Sequence, residues 1–390
     1  MAKPIKSGIL ERDPVQDIPS LVDYNKEECY IPVSSFSRNE APTSGLRMKN
    51  SIRFLFPFLL FIFLCTSCAE NPTFAREDEF LGFFQKDEVV VAVTDSGLGG
   101  LSILADAVER SRIWKGFEKM DFVYFNALFS NQGGYNTLKT SREKTAVFDS
   151  ALNSLEYKYD PDLILIGCNT LSAIYDNTIF ARRTGIPVKG MIDAGVDAAA
   201  DALKEHPGSK IIIFATQTTV AQNTHRDRLV KKGFLAERVV YQACPELVKY
   251  IEADYKGEET EMLIFAYLDE ALQKISRRSD PLIVSLNCTH YGYSLDLWKN
   301  AFHSLGVEPV AFLNPNPRIN DFLFQPQFKD RFKKTKISVR VVSMVEIAEK
   351  KRESIGAFLN PLSPQTAKAL REYEWEETLF QWESFIEKIN

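Results

Sequence analysis

Excess basic charge is missing from this chain. Lys and Arg number 47 against 52 Asp and Glu, for a formal net charge of −5. No Lys/Arg stripe interrupts that balance, so the electrostatic footprint of a nucleic-acid binder is absent and no nucleic-acid partner is expected. Cysteine is sparse too. Cys29, Cys65, Cys68, Cys168, Cys244 and Cys288 are too few and too scattered for a disulfide scaffold. The lone CxxC, Cys65 and Cys68, closes an apolar stretch with no further ligands nearby, so no metal site is expected. Neither a Walker phosphate loop nor a dinucleotide fingerprint occurs. What remains is ordinary for a globular protein: 45% hydrophobic and 25% charged residues in 390 positions, enough for two domains and extensions.

Residues 1–47 are polar and broken by prolines, and read as a disordered leader or as sequence upstream of the true start. Met48 is followed by Lys49 and Arg53, then by the apolar run Phe54–Leu64 and Cys65-Thr66-Ser67-Cys68. That run is shorter than the roughly 20 residues a membrane span needs. A short basic region, an apolar run and a small-residue exit have the form of an export signal. It looks like a bacterial lipoprotein signal, with Cys68 as the lipidated residue and attachment to the cell envelope as the consequence. An uncleaved anchor and a buried segment are the alternatives, as is cytoplasmic retention. Residues 69–88 read as a polar linker.

The chain is organised around Leu163–Ile166, an apolar strand that runs out through Gly167 into Cys168-Asn169-Thr170. In a parallel α/β sheet such strand ends are where ligands bind. Leu282–Leu286 repeats the pattern and delivers Cys288-Thr289-His290. Two further strands precede these. Val89–Val93 opens into Thr94-Asp95-Ser96-Gly97-Leu98-Gly99-Gly100, and Ile211–Phe214 into Ala215-Thr216-Gln217-Thr218-Thr219. Asp95 and Cys168 lie 73 positions apart, Thr216 and Cys288 72. Near-equal spacing implies two similar α/β units, each contributing one strand-end cysteine to a shared cleft. The first unit spans 89–193 and takes back 295–350, with Val307–Phe312 and Val339–Val345 completing its sheet; the second spans 194–294. The glycines after Asp95 allow a tight turn and close approach of backbone N–H groups to a ligand at a helix N-terminus, or serve structure alone. The loop Ser130–Asn136 lines a pocket or is a polar turn. Residues 351–390 read as a helical extension whose Leu379, Trp382, Phe385 and Ile386 share one face, packed on the core or offered to a partner.

A strand-end thiol is a buried hydrophobe, a nucleophile or an acid/base, and singly it is most often structural. Two thiols in matched contexts support a sharper set. A thiolate, its proton affinity lowered by nearby donors, can remove a proton from carbon while an opposed thiol returns one to the other face, which is racemisation without a cofactor. Acyl transfer at Cys288 with His290 as base is a second chemistry. A redox dithiol, normally close in sequence, is a third.

Asp95-Ser-Gly-Leu-Gly-Gly, Gly167-Cys-Asn-Thr-Leu-Ser-Ala, Ala243-Cys-Pro, Glu252 and Cys288-Thr-His-Tyr together resemble the successive motifs of the glutamate racemases, in the aspartate/glutamate racemase superfamily. The resemblance covers about residues 89–345. It implies two α/β domains related by pseudo-two-fold symmetry, an active site between them, no cofactor, a small acidic amino acid as substrate, usually homodimers, and a place in cell-wall precursor synthesis. Cys168 and Cys288 would be the acid/base pair, with Asp95 assisting the first, His290 the second, and Glu252 near the second thiol. Ser96, Asn169, Thr170, Thr289 and Thr219 would contact substrate, and Cys244 would be structural. Where the family has Gly-Asp-Thr and then Pro-Tyr-Gly, this chain has Phe125-Asn126-Ala127 and Gly133-Gly134-Tyr135-Asn136, so Tyr135 takes the tyrosine's place. Leu286-Asn287-Cys288 replaces Leu-Gly-Cys, and Phe312-Leu-Asn-Pro replaces a late Ile-Asp. These departures fall on the side-chain pocket. An amino-acid-binding protein of the envelope is the alternative they leave, and an oxidising envelope would set two facing thiols at risk of a disulfide.

Overall fold

The computed structural model describes residues 80–275 and 280–386; the leader, the export-like segment with Cys68, and most of the linker lie outside the described residues. A short helix α1 (Leu81–Phe84) leads into β1 (Glu88–Asp95), α2 (Leu101–Trp114), β2 (Lys119–Asn126), α3 (Ser141–Tyr159) and β3 (Leu163–Ile166). Next come α4 (Asn169–Ile174), α5 (Ile179–Arg183), β4 (Val188–Gly190) and α6 (Met191–Glu205). The second half carries β5 (Lys210–Ala215), α7 (Gln217–Gln222), α8 (Thr224–Lys231), β6 (Val239–Ala243), α9 (Leu247–Ala253), α10 (Glu258–Gln273) and β7 (Leu282–Asn287). The chain closes with α11 (Leu295–Ser304), β8 (Ala311–Leu313), β9 (Lys336–Ser343), α12 (Glu349–Leu362), α13 (Pro364–Arg371) and β10 (Glu374–Trp375).

Two sheets result, in the orders β10-β9-β2-β1-β3-β4 and β6-β5-β7-β8. Every pairing in both is parallel. Parallel strands need helical crossovers that cover both faces, which is why β3 is apolar throughout and both β3 and β7 are buried along their whole length. The shared sub-order is informative. In each sheet the first strand (β1 or β5) lies between the second and the third, so the chain reverses its direction of travel across the sheet at that strand. A crevice opens at such a switch point, beyond the carboxyl ends of the strands. Asp95 ends β1 and Cys168 follows β3 on either side of one crevice, and Thr216 and Cys288 follow the corresponding strands of the other. The expected fold of two similar α/β lobes with the cleft between them is the one observed.

Local chemistry sets the helix limits. Thr140 accepts from the Glu143 N–H while Glu143 reaches back to the Thr140 N–H, a capping box that starts α3. Lys115 and Asp160, both left-handed, end α2 and α3.

Three expectations need correction. The end of the linker is part of the core: Phe80, Phe83 and Phe84 are buried, and Phe84 stacks on Phe328 with centroids 4.8 Å apart. Val307–Phe312 does not complete the first sheet, because Ala311–Leu313 pairs with β7 in the second. Beyond α13 the extension is no longer α-helical: β10 pairs with β9, Leu379 and Phe380 are buried in the first lobe's core with Trp382 and Ile386 against it, and only a 3₁₀ turn at Glu383–Phe385 follows among the described residues. The spacing of those apolar residues mimics a helix, but the chain instead lays them on the first lobe, with Phe380 against Phe125 and Trp382 against Phe129. No described helix is long and apolar enough to cross a membrane.

Candidate active site

The lobes enclose a cavity of about 330 Å³, at the small end of the range for small-molecule sites. Cys168 and Cys288 both lie on its wall, each only 6% exposed. Cys168 immediately precedes α4, and its Sγ lies 3.2 Å from Ser96 Oγ. Cys288 follows β7 directly, with Sγ 3.9 Å from His290 Nδ1.

Asp95, at the end of β1, is buried and accepts a 2.8 Å bond from the Thr289 hydroxyl across the cleft. Burial raises its carboxyl to about 6, against the lowering effects of His290 and Thr289. Glu252, on α9, is buried among three donors. Oε1 accepts from the Leu98 N–H at 3.0 Å and lies 2.9 Å from His290 Nε2, while Oε2 lies 2.8 Å from Lys351 Nζ. Burial pushes this carboxyl up, but the bond and charge of His290 and the Lys351 ammonium outweigh it and hold it at about 2.

The thiols behave differently from the expectation that local donors lower them. Burial pushes Cys168 up to about 12 and Asp95 adds to the effect, outweighing the Ser96 and backbone donors. Burial likewise raises Cys288. Both thiols are therefore protonated at neutral pH in this closed cleft.

The glycines after Asp95 have a reason the sequence left open. A Cβ on Gly99 would meet Thr289 Oγ1 at 2.3 Å and His290 Nδ1 at 2.6 Å, and one on Gly97 would meet Glu252 Oε1 at 2.9 Å. The turn is bare because Thr289, His290 and Glu252 of the other lobe pack directly on it. Tyr124 and Tyr293 fix it from beneath, donating to the Gly97 carbonyl at 2.7 Å and the Leu98 carbonyl at 2.8 Å.

Asn169 and Thr170 line the cavity. Both polar atoms of the buried Asn169 side chain lack a protein partner, as does the buried Tyr135 hydroxyl. Tyr135 sits in a 3₁₀ turn on the cavity wall, edge-on to Phe129 and Phe148. Thr170 Oγ1 meets Thr216 Oγ1 at 2.8 Å, with Thr219 Oγ1 3.1 Å from Thr216. Thr219 is fully buried behind Thr216 and is not on the wall; Thr216 holds that place. Cys244 is buried, and its N–H bonds the Ala215 carbonyl at 2.9 Å. Thr216 and Lys351 are wall residues that sequence reasoning missed. Thr216 could have been found as the cap of a helix after β5, since its side chain accepts from the Thr219 N–H. Lys351 carried no signal, lying beyond the recognisable motifs.

Two parallel α/β lobes around a small polar cavity with paired thiols define an enzyme of small-molecule chemistry. Comparison with known proteins narrows this. The Asp/Glu/hydantoin racemase family matches residues 123–308. The glutamate racemase of Clostridium perfringens strain 13 is 31% identical over 206 residues, 52% of this chain and 71% of that protein. That of Persephonella marina is 28% identical over 219 residues, 56% and 76%. The crystal structure of Francisella tularensis glutamate racemase with D-glutamate superposes with a TM-score of 0.53 at 22% identity, covering 70% of this chain and 94% of that one. The Campylobacter jejuni enzyme gives 0.51 at 24%, covering 70% and 98%. The chain belongs to the Asp/Glu racemase superfamily and takes its enzyme class, racemase, from it.

Proposed function

We propose that the protein interconverts the mirror-image forms of a small acidic amino acid, glutamate first, by proton transfer between Cys168 and Cys288 without a cofactor. The observation that carries this reading is the placement of both thiols on one cavity wall, at equivalent strand ends of two lobes with the same strand order. One thiolate takes the α-hydrogen as a proton, and the electron pair left on carbon is delocalised into the substrate carboxylate. The opposed thiol delivers its proton to the other face, so the two sulfurs exchange states and nothing else is consumed. Burial holds both thiols protonated; the substrate's α-ammonium, brought between them, offsets that penalty. Asp95 and Ser96 serve the first thiol, and His290 and Glu252 the second. Asn169, Thr170, Thr289 and Tyr135 offer polar groups to the substrate, and Thr219 supports Thr216 in doing so. On this reading the export-like segment ending at Cys68 places the enzyme at the cell envelope, and the working form is a homodimer.

The test is incubation of the purified chain with L-glutamate, then L-aspartate, in deuterated water under reducing conditions, following the α-proton signal and optical rotation. Loss of both signals is expected. Cys168→Ser and Cys288→Ser should each slow racemisation by about 100-fold or more; unchanged rates in both would end the two-thiol reading. The altered loop around Tyr135 favours a second reading, an amino-acid-binding protein, which predicts saturable binding of glutamate with no exchange.

A further inference from the structure

Lys351 is the third residue of α12, beyond the segment that bears the family motifs. A cation in the first turn of a helix sits at the positive end of its dipole, a placement that needs compensation. Here the compensation is the buried Glu252 carboxylate, 2.8 Å from the ammonium. From Glu252 the contacts run on without a gap to His290 at 2.9 Å, and from His290 to the Cys288 sulfur at 3.9 Å. The helix start is itself anchored: Arg352 Nε donates to the Ile347 carbonyl at 3.0 Å, and Ile355 and Leu359 are fully buried. Lys351 also lies on the cavity wall.

We propose that Lys351 is a positioning residue for the second thiol: from the C-terminal helix it fixes Glu252, through Glu252 the His290 ring, and so sets the readiness of Cys288 while leaving Cys168 untouched. The proposal rests on the two-thiol reading of the site. Other titratable groups facing this relay are Asp95 on β1, Cys168 after β3, Tyr124 on β2, Cys244 before α9, Lys249 on α9, and Tyr293 after His290. Apart from Lys249 on Glu252's own helix, none of these is a cation, so Lys351 is the ammonium that balances the Glu252 charge.

The experiment uses the full chain and its Lys351→Met and Lys351→Arg variants. Iodoacetamide labelling of Cys168 and Cys288 is followed separately by peptide mass spectrometry between pH 7 and 10, alongside kcat/KM against pH. Without the ammonium, the unbalanced Glu252 carboxylate disfavours a nearby thiolate. Cys288 in Lys351→Met should therefore label about fivefold more slowly at a given pH, as one partly screened charge would cause. Cys168 should be unaffected, and Lys351→Arg should restore most of the Cys288 rate. Racemisation should fall about tenfold in kcat/KM, equally in both directions because the overall equilibrium constant is one, with its pH profile displaced. Unchanged Cys288 labelling overturns the proposal, and so does equal slowing at both thiols, which marks general loosening. A parent chain that exchanges no amino acid, yet shows slowing confined to Cys288, refutes the racemase reading and supports the relay.

Discussion

Adding one methyl group to Gly99 should separate the cost of a close approach from the ordinary effect of replacing glycine. The new Cβ would stand 2.3 Å from Thr289 Oγ1, 2.6 Å from His290 Nδ1 and 2.9 Å from His290 Cε1, all distances that real Cβ contacts do not show. Neither neighbour can simply swing away. Thr289 is 2% exposed and donates to Asp95, and His290 is 3% exposed and holds Glu252. Overpacking a filled site costs about 1–3 kcal/mol, and a strained or lost hydrogen bond to a buried carboxylate about 1.5–3. The two overlap, so Gly99→Ala should destabilise the chain by about 3 kcal/mol, lowering Tm by about 5 °C. Gly356→Ala is the control, since a Cβ there meets nothing within 4 Å and lies inside α12. It should be neutral or stabilise by about 0.5–1 kcal/mol. Both variants are compared by urea unfolding and by α-hydrogen exchange, with exchange lost only in Gly99→Ala. A Gly99→Ala chain as stable as the parent would refute the idea that this turn is glycine because the opposite lobe packs on it.

Two further predictions concern pH, one thiol reactivity and one a helix start. Asp95 has a folded value, about 6, above its ordinary 3.8; its ionisation therefore removes stability as pH rises from about 4 to 6. Asp95→Asn should be more stable than the parent at pH 7 by up to about 3 kcal/mol, an advantage gone below about pH 4, while racemisation falls. Glu252 runs the other way, held at about 2 against 4.5; the stability it contributes is present above about pH 4.5 and lost as pH falls toward 2. Acid unfolding of Glu252→Gln should therefore be less steep than that of the parent over that window. Cys168, pushed up to about 12, should react with iodoacetamide at pH 8 on the order of 10³-fold more slowly than free cysteine, and a rate near that of the free thiol would show that burial does not control it. Thr140→Ala, which removes the cap of α3, should cost about 1 kcal/mol in urea unfolding with activity retained.

Legibility varied with the kind of force at work. The apolar strands and their polar ends were readable because a doubly covered parallel strand has few alternatives, and the matched spacing of Asp95 to Cys168 and Thr216 to Cys288 exposed the repeated lobe. Both thiols, Asp95, Asn169, Thr170, Thr289, His290, Glu252 and Tyr135, all named from the motifs, line the one cavity. What failed was long-range. Nothing local distinguishes a strand that joins the first sheet from one that joins the second, so the Val307–Phe312 run reads as part of the first although its end, Ala311–Leu313, pairs with β7 in the second. Leu379 and Trp382 have helical spacing, yet the chain after β10 lays them against α3 and Phe129, where Ser154 donates to the Leu379 carbonyl. Phe80, Phe83 and Phe84 sit in a polar, acidic stretch, and the distant Phe322, Phe117 and Phe328 that face them make them core. Lys351 belongs to the same class: its meaning lies in a carboxylate 99 positions away. The protonated resting state of the thiols follows from burial, which motifs do not encode.

The bare turn at Gly97–Gly99 carries one last consequence. Leu98 donates to Glu252, Asp95 accepts from Thr289, and each bond joins residues of opposite lobes. Glu252 also lies 2.9 Å from His290, and His290 3.9 Å from Cys288, all within one lobe, while Ser96 lies 3.2 Å from Cys168 within the other. Each thiol thus keeps its polar neighbours on its own side of the seam, and the two bonds that cross it tie one lobe's cluster to the other's.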